Sequence, residues 1–130
     1  MAVSCTLRVD GGAAQEDALL KLVLPLKPVR VWRKGEVDRS GNARGTTAVN
    51  IGVSEADMEN LPGQIEDAID FLEKNGVALN LLRNLPGIGG IELDFGIGRR
   101  DVSVQVDRFP GSLVTAAGQL GIGLCMSRYE

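Results

Sequence analysis

Apolar and polar residues alternate with period two along several stretches of the chain. Val3, Cys5, Leu7 and Val9 alternate with Ser4, Thr6 and Arg8. Thr47, Val49, Ile51 and Val53 alternate with smaller or polar residues. Ile91, Leu93, Phe95 and Ile97 oppose Glu92 and Asp94, and Val102, Val104 and Val106 oppose Ser103, Gln105 and Asp107. The linker "GRR" between these last two runs predicts a hairpin. A final strand, "IGLCMSRY", puts Ile122, Leu124 and Met126 on one side. Strands that are apolar on one face only belong to a largely antiparallel sheet with one side covered.

The period changes to 3.6 in the segments between. In "AAQEDALLKLV", Ala18, Leu19, Leu22 and Val23 share a helical face, while Leu22, Leu24 and Leu26 also fit a strand; Pro25 and Pro28 end either element. Ser54, with Asp57 three residues on, reads as the N-cap of a helix that carries Ile65, Ala68, Ile69 and Leu72 and stops at Asn75-Gly76. A shorter helix through Leu79 to Leu82 ends before "PGIGG". Ser112 reads as the cap of a last helix with Leu113, Ala116, Ala117 and Leu120, terminated by Gly121. With "VRVW" as a further strand, the expected architecture is α+β: a largely antiparallel sheet with helices packed on one face. The polar face bearing Thr6, Arg8, Glu92, Asp94, Ser103 and Gln105 is then expected to be open to solvent or used in self-association.

The chain has 130 residues, the size of one domain with one core, so a single domain over 1–130 is expected. Aromatic residues are only 4%, which makes the core aliphatic. No apolar run approaches the length of about 20 residues that spans a bilayer, and "MAVSCTLRVD" lacks the basic-then-apolar order of a signal peptide. A cytoplasmic location without membrane association is the expectation. Cys5 and Cys125 lie near opposite ends and fit neither a disulfide scaffold nor a zinc site, so they read as buried thiols.

Histidine is absent. The chain therefore cannot supply a Ser-His or Cys-His dyad, a histidine-liganded metal or an imidazole base. The glycines of "GIGGIELDFGIG" precede a strand, whereas a dinucleotide fingerprint follows one and opens a helix; they read instead as loop positions needing positive φ or close backbone approach. No cofactor or metal is expected. The acidic run from Glu55 to Glu73 reads as a helix start and a solvated helix face. Glu92 and Asp94, two apart on one strand face, are the candidate carboxylates of a histidine-free enzyme, with Lys34 as a further candidate.

One stretch stands apart. "VRVWRKGEVDRSGNARG" holds the only tryptophan, Trp32, amid Arg30, Arg33, Lys34, Arg39 and Arg44, in a chain whose formal net charge is −3. If "VRVW" is extended, Arg30 and Trp32 share a face, and the guanidinium can stack on the indole. The rest of the stretch suits an exposed loop. Arg30, Trp32, Arg33, Lys34 and Arg44 form the candidate recognition surface, since Trp and Arg are enriched among binding hot spots. Net negative charge, with Glu36 and Asp38 inside the loop, argues against nucleic acid.

"LVLPLKPVRVWRKGE" resembles the Leu-x-x-x-Pro-x-x-x-x-x-Lys-Gly segment of the domain of unknown function 4279 family, with Pro28 or Pro25 in the proline place and Trp32, Lys34, Gly35 and Glu36 as its "W-x-K-G-E". "LVTAAGQLGIGLCMSRY" is similar to that family's closing helix and strand. The resemblance implies a small bacterial α+β domain without an established activity, some of whose relatives are thought to be immunity or partner-binding proteins. The expected function is a non-enzymatic protein-binding module, of the immunity type, that captures an acidic protein partner through the Trp/Arg/Lys loop. The alternatives are a carboxylate-dependent enzyme and a small anionic ligand-binding protein.

Overall fold

The computed structural model describes residues 2–130. Five strands, β1 (Cys5–Asp10), β2 (Pro28–Trp32), β3 (Ala48–Ser54), β4 (Ile91–Gly98) and β5 (Gly123–Tyr129), form one sheet in the order β2-β3-β1-β4-β5. The first four run antiparallel to their neighbours; β5 joins β4 in parallel. The fold is α+β, with one parallel pair in an otherwise antiparallel sheet. That pair follows from the helix between β4 and β5, because a parallel neighbour needs a crossover and not a tight turn.

The register turns the alternation of the sequence into two faces. Leu7 pairs with Ile51 on one side and Leu93 on the other, while Val9 pairs with Val49 and Ile91. These residues form a core with Leu19 and Val23 of α1 (Glu16–Val23), Ile65, Ala68 and Leu72 of α2 (Leu61–Lys74), Leu79 and Leu82 of α3 (Gly76–Arg83), and Leu113 and Ala117 of α4 (Gly111–Gln119). All four helices thus cover the same face. The opposite face carries Thr6, Arg8, Asn50, Glu92, Asp94, Arg30 and Trp32 in matching registers. No helix among the described residues is long and apolar enough to cross a membrane.

Three expectations are corrected. Residues 102–106 form no strand: Val102, Val104 and Val106 are 54%, 74% and 57% exposed, and Ser103 and Gln105 are not part of the open sheet face. The expected hairpin partner is already taken, because β4 has β1 on one side and β5 on the other. The Gln105 side chain takes the place of a ladder, donating to the Gly98 carbonyl at 3.1 Å and accepting from the Arg100 amide at 2.9 Å.

The helix expected from Ser54 begins at Leu61, with Asn60 as its cap and Pro62 in the first turn. Ser54 is instead the last residue of β3; its hydroxyl is drawn to Asp67 of α2, donating at 2.6 Å. The last helix is capped two residues before Ser112: Pro110 is extended, and its carbonyl accepts from the Leu113 and Val114 amides.

The glycine loops meet as close backbone approach requires. Gly87 has φ +81°, and a Cβ there would lie 2.7 Å from the Ala13 carbonyl carbon; Gly12, at φ +56°, would meet the Gly87 carbonyl oxygen at 2.7 Å. The loops after β1 and before β4 therefore interlock through backbone alone, which holds the β1 and β4 ends of the open face in fixed relation.

Candidate functional site

The open sheet face is built in rows across the strands. One row runs Arg30, Asn50, Arg8 and Glu92, taken from β2, β3, β1 and β4; the next runs Trp32, Ala48 and Asp10. Small Ala48 sits between Trp32 and Asp10, so the face is hollowed there. The result is a groove of about 650 Å³, with Trp32 and Arg44 on one wall, Arg8, Ala48 and Asn50 on the floor and Glu92 on the far wall. At the other end the face is filled: a Cβ on Gly96 would lie 3.3 Å from Tyr129 Cε2 and 3.5 Å from Met58 Cε.

Arg44 reaches this groove because the basic loop is a small hairpin. Val37 bridges Ala43, the Gly35 amide donates to the Arg44 carbonyl at 2.9 Å, and the Arg44 amide donates to the Glu36 carbonyl at 2.8 Å. Asp38 closes the tip by accepting from the Ser40 hydroxyl at 2.6 Å and from the Ser40 and Asn42 amides at 2.9 and 3.0 Å. These bonds, led by that from Ser40, hold the Asp38 carboxyl below the usual carboxylate range.

Folding back in this way brings two guanidinium groups over one indole. Arg30 lies 4.9 Å and Arg44 5.3 Å from the Trp32 ring centroid. Such contacts contribute roughly 0.5–1 kcal/mol each at exposed sites and more when desolvated. No carboxylate of the described residues lies within 4.0 Å of either guanidinium. The Arg44 Nε is buried without a hydrogen-bond partner.

The five residues expected to form one surface divide into two groups. Arg30, Trp32 and Arg44 come together on the open face. Arg33 and Lys34 turn to the α1 side: Arg33 Nε lies 3.6 Å from Glu16, and the Lys34 amide donates to the Thr47 hydroxyl at 3.0 Å. Arg39 is exposed near the hairpin tip. Arg8, Asn50 and Asp10 join the site through register alone. Arg8 and Asp10 alternate with Val9, which was the available signal, but their neighbours across the sheet are set by pairing between distant segments.

Glu92 and Asp94 share the open face but differ in state. Asp94 is 4% exposed; Arg8 lies 2.5 Å away, and the Ser127 hydroxyl reaches its two oxygens at 2.8 and 2.9 Å. Its lone pairs are occupied by a structural ion pair and hydroxyl. Glu92 has no cation within ion-pair distance among the described residues.

Cys5 and Cys125 fall on opposite faces and are unpaired. Burial pushes the Cys5 thiol up to about 12, and burial followed by the Asp94 and Glu92 carboxylates raises that of Cys125. Both shifts disfavour the thiolate, the reactive form. Among the described residues no three Cys, Asp or Glu side chains are grouped to hold a metal ion. Comparison of the chain with protein-family models, curated proteins and solved structures gives no match.

Proposed function

We propose that the protein is a partner-binding module whose open sheet face captures an acidic segment of another protein at Arg30, Trp32 and Arg44. The observation that carries this reading is the pair of guanidinium groups on the Trp32 ring, neither of them neutralised by a carboxylate of the chain. Stacking holds each arginine in place while leaving donors for a carboxylate, and it reduces the rotamer entropy that a free arginine loses on binding. A soluble loop has no need of this arrangement. The basic stretch thus serves as an electropositive wall on a negatively charged body, which steers acidic partners.

An enzymatic role draws less support, because Asp94 is held by Arg8 and Ser127 and the nearby Cys125 thiol is disfavoured as thiolate.

Trp32 is the only tryptophan, so its emission reports directly on this site. Titration with a hexaglutamate peptide should change Trp32 emission saturably in wild type. The change should vanish in Arg30→Ala/Arg44→Ala and weaken as salt rises. An equal response in that double variant would overturn the assignment.

A further inference from the structure

Resting on that reading, the geometry points to a bipolar occupant of the groove. We propose that the partner segment carries a carboxylate for Arg30 and Arg44 and, about four residues along an extended chain, an ammonium or guanidinium group for Glu92 and Asp10. The walls of the groove carry unneutralised charge of opposite sign. Arg44 lines the Trp32 side of the groove and Arg30 stands beside it on β2, just outside the lining; neither has a carboxylate within 4.0 Å, and Glu92 and Asp10 on the β1/β4 side have no cation within that distance among the described residues. The intervening Arg8 is committed to Asp94. Asp10 is positioned by accepting from the Gly12 amide at 2.9 Å, which leaves its second oxygen without a hydrogen bond from the described residues.

The spacing follows from the sheet. Arg30 and Glu92 stand in one row, separated by β3 and β1, so their backbones are three strand spacings apart, about 14 Å. Four residues of extended chain rise roughly 13 Å, and residues i and i+4 point to the same side. Between the two charged ends lies Asn50, part-buried, whose side-chain amide makes no hydrogen bond to the described residues. It offers a donor and an acceptor to the backbone of a segment crossing the floor. A uniformly acidic segment meets Glu92 and Asp10 with like charge, whereas a segment with an acid at one end and a base at the other satisfies both walls.

The test uses synthetic peptides on the intact protein, read by Trp32 emission. The probe is acetyl-Ser-Glu-Ser-Ser-Ser-Lys-Ser-amide, compared with versions in which Lys is replaced by Ser or by Glu. The Glu/Lys peptide should bind about three- to fivefold more tightly than the Glu/Ser peptide, the effect of one partly exposed ion pair, and the Glu/Glu peptide most weakly. Glu92→Gln should remove the difference between the Glu/Lys and Glu/Ser peptides, with circular dichroism confirming that it is folded. If all three peptides bind wild type equally, or the Glu/Glu peptide binds best, the bipolar assignment is wrong while the acidic-partner reading stands. If none binds, both fail.

Discussion

The Thr47 hydroxyl donates to Glu16 Oε2 at 2.5 Å and accepts from the Lys34 amide at 3.0 Å, so one side chain ties the base of the basic hairpin to the start of α1. Arg33 adds a weaker link to the other Glu16 oxygen at 3.6 Å. The anchor lies on the helix side of the sheet and fixes the direction from which Arg44 crosses to the open face. Arg33 and the Lys34 backbone amide thus hold the base of the hairpin, while Arg44 lines the groove and Arg30 lies beside it on the Trp32 ring.

Thr47→Val keeps the shape of this anchor and removes its hydroxyl. Thr47 is 5% exposed, and the lost bond is to a charged carboxylate. A loss of about 1–3 kcal/mol is expected in denaturant unfolding. Response to hexaglutamate should weaken as well, since Arg44 loses its fixed approach to Trp32. A variant as stable as wild type would show that the anchor contributes nothing.

The tip of the hairpin should register acid. Asp38 titrates below the usual carboxylate range, chiefly through the Ser40 hydroxyl. Because its folded pKa is depressed, its contribution is present above the ordinary carboxylate pKa and is lost as pH falls through the depressed value. NMR titration of the Asp38 carboxyl should show the low pKa in wild type and a rise toward the ordinary range in Ser40→Ala. Equal values in the two proteins would contradict the assigned cause.

Alkali should reveal Cys5. Its folded pKa is raised, so the stabilising effect is complete below about pH 8.5, where unfolded thiols begin to ionise, and is lost as pH rises toward about 12. Between these values wild type should lose stability more steeply than Cys5→Ala, with a difference in slope approaching about 1.4 kcal/mol per pH unit. Parallel pH profiles would mean that the thiol is not shielded.

Val104→Lys should shift unfolding free energy by no more than about 0.5 kcal/mol, because Val104 is 74% exposed in a segment outside the sheet. Leu93→Ala, in the centre of the core, should cost about 2–5 kcal/mol. A large loss at Val104 would restore the strand that its alternation suggests.

The contrast between these two positions shows what a one-dimensional pattern conveys. Val104 and Leu93 both alternate with polar neighbours, but Leu93 pairs with Leu7 and Leu124, whereas Val104 follows a strand whose two sides are already occupied and stays exposed. Periodicity records a chain's capacity to be a strand; pairing and burial in the folded chain decide whether it becomes one. β1, β3, β4 and the body of α4 were legible because burial and period agree in them, whereas α1 fitted a helix and a strand alike. In the site, Arg30 and Trp32 were legible together from their separation of two. The arrival of Arg44 depends on a hairpin closed by Asp38, and the facing of Trp32 toward Asp10 depends on registers between segments far apart in sequence.

Residue-level NMR mapping of hexaglutamate binding distinguishes the open sheet face from the outer side of the hairpin. The largest shift changes should fall on the Trp32 indole N–H, the Arg30 and Arg44 guanidinium signals and the Asn50 side-chain amide. Arg33, Lys34 and the helices should change little. Changes concentrated on Arg33, Lys34 and Arg39, with the Trp32 indole unmoved, would contradict it and place acidic binding on the outer side of the hairpin.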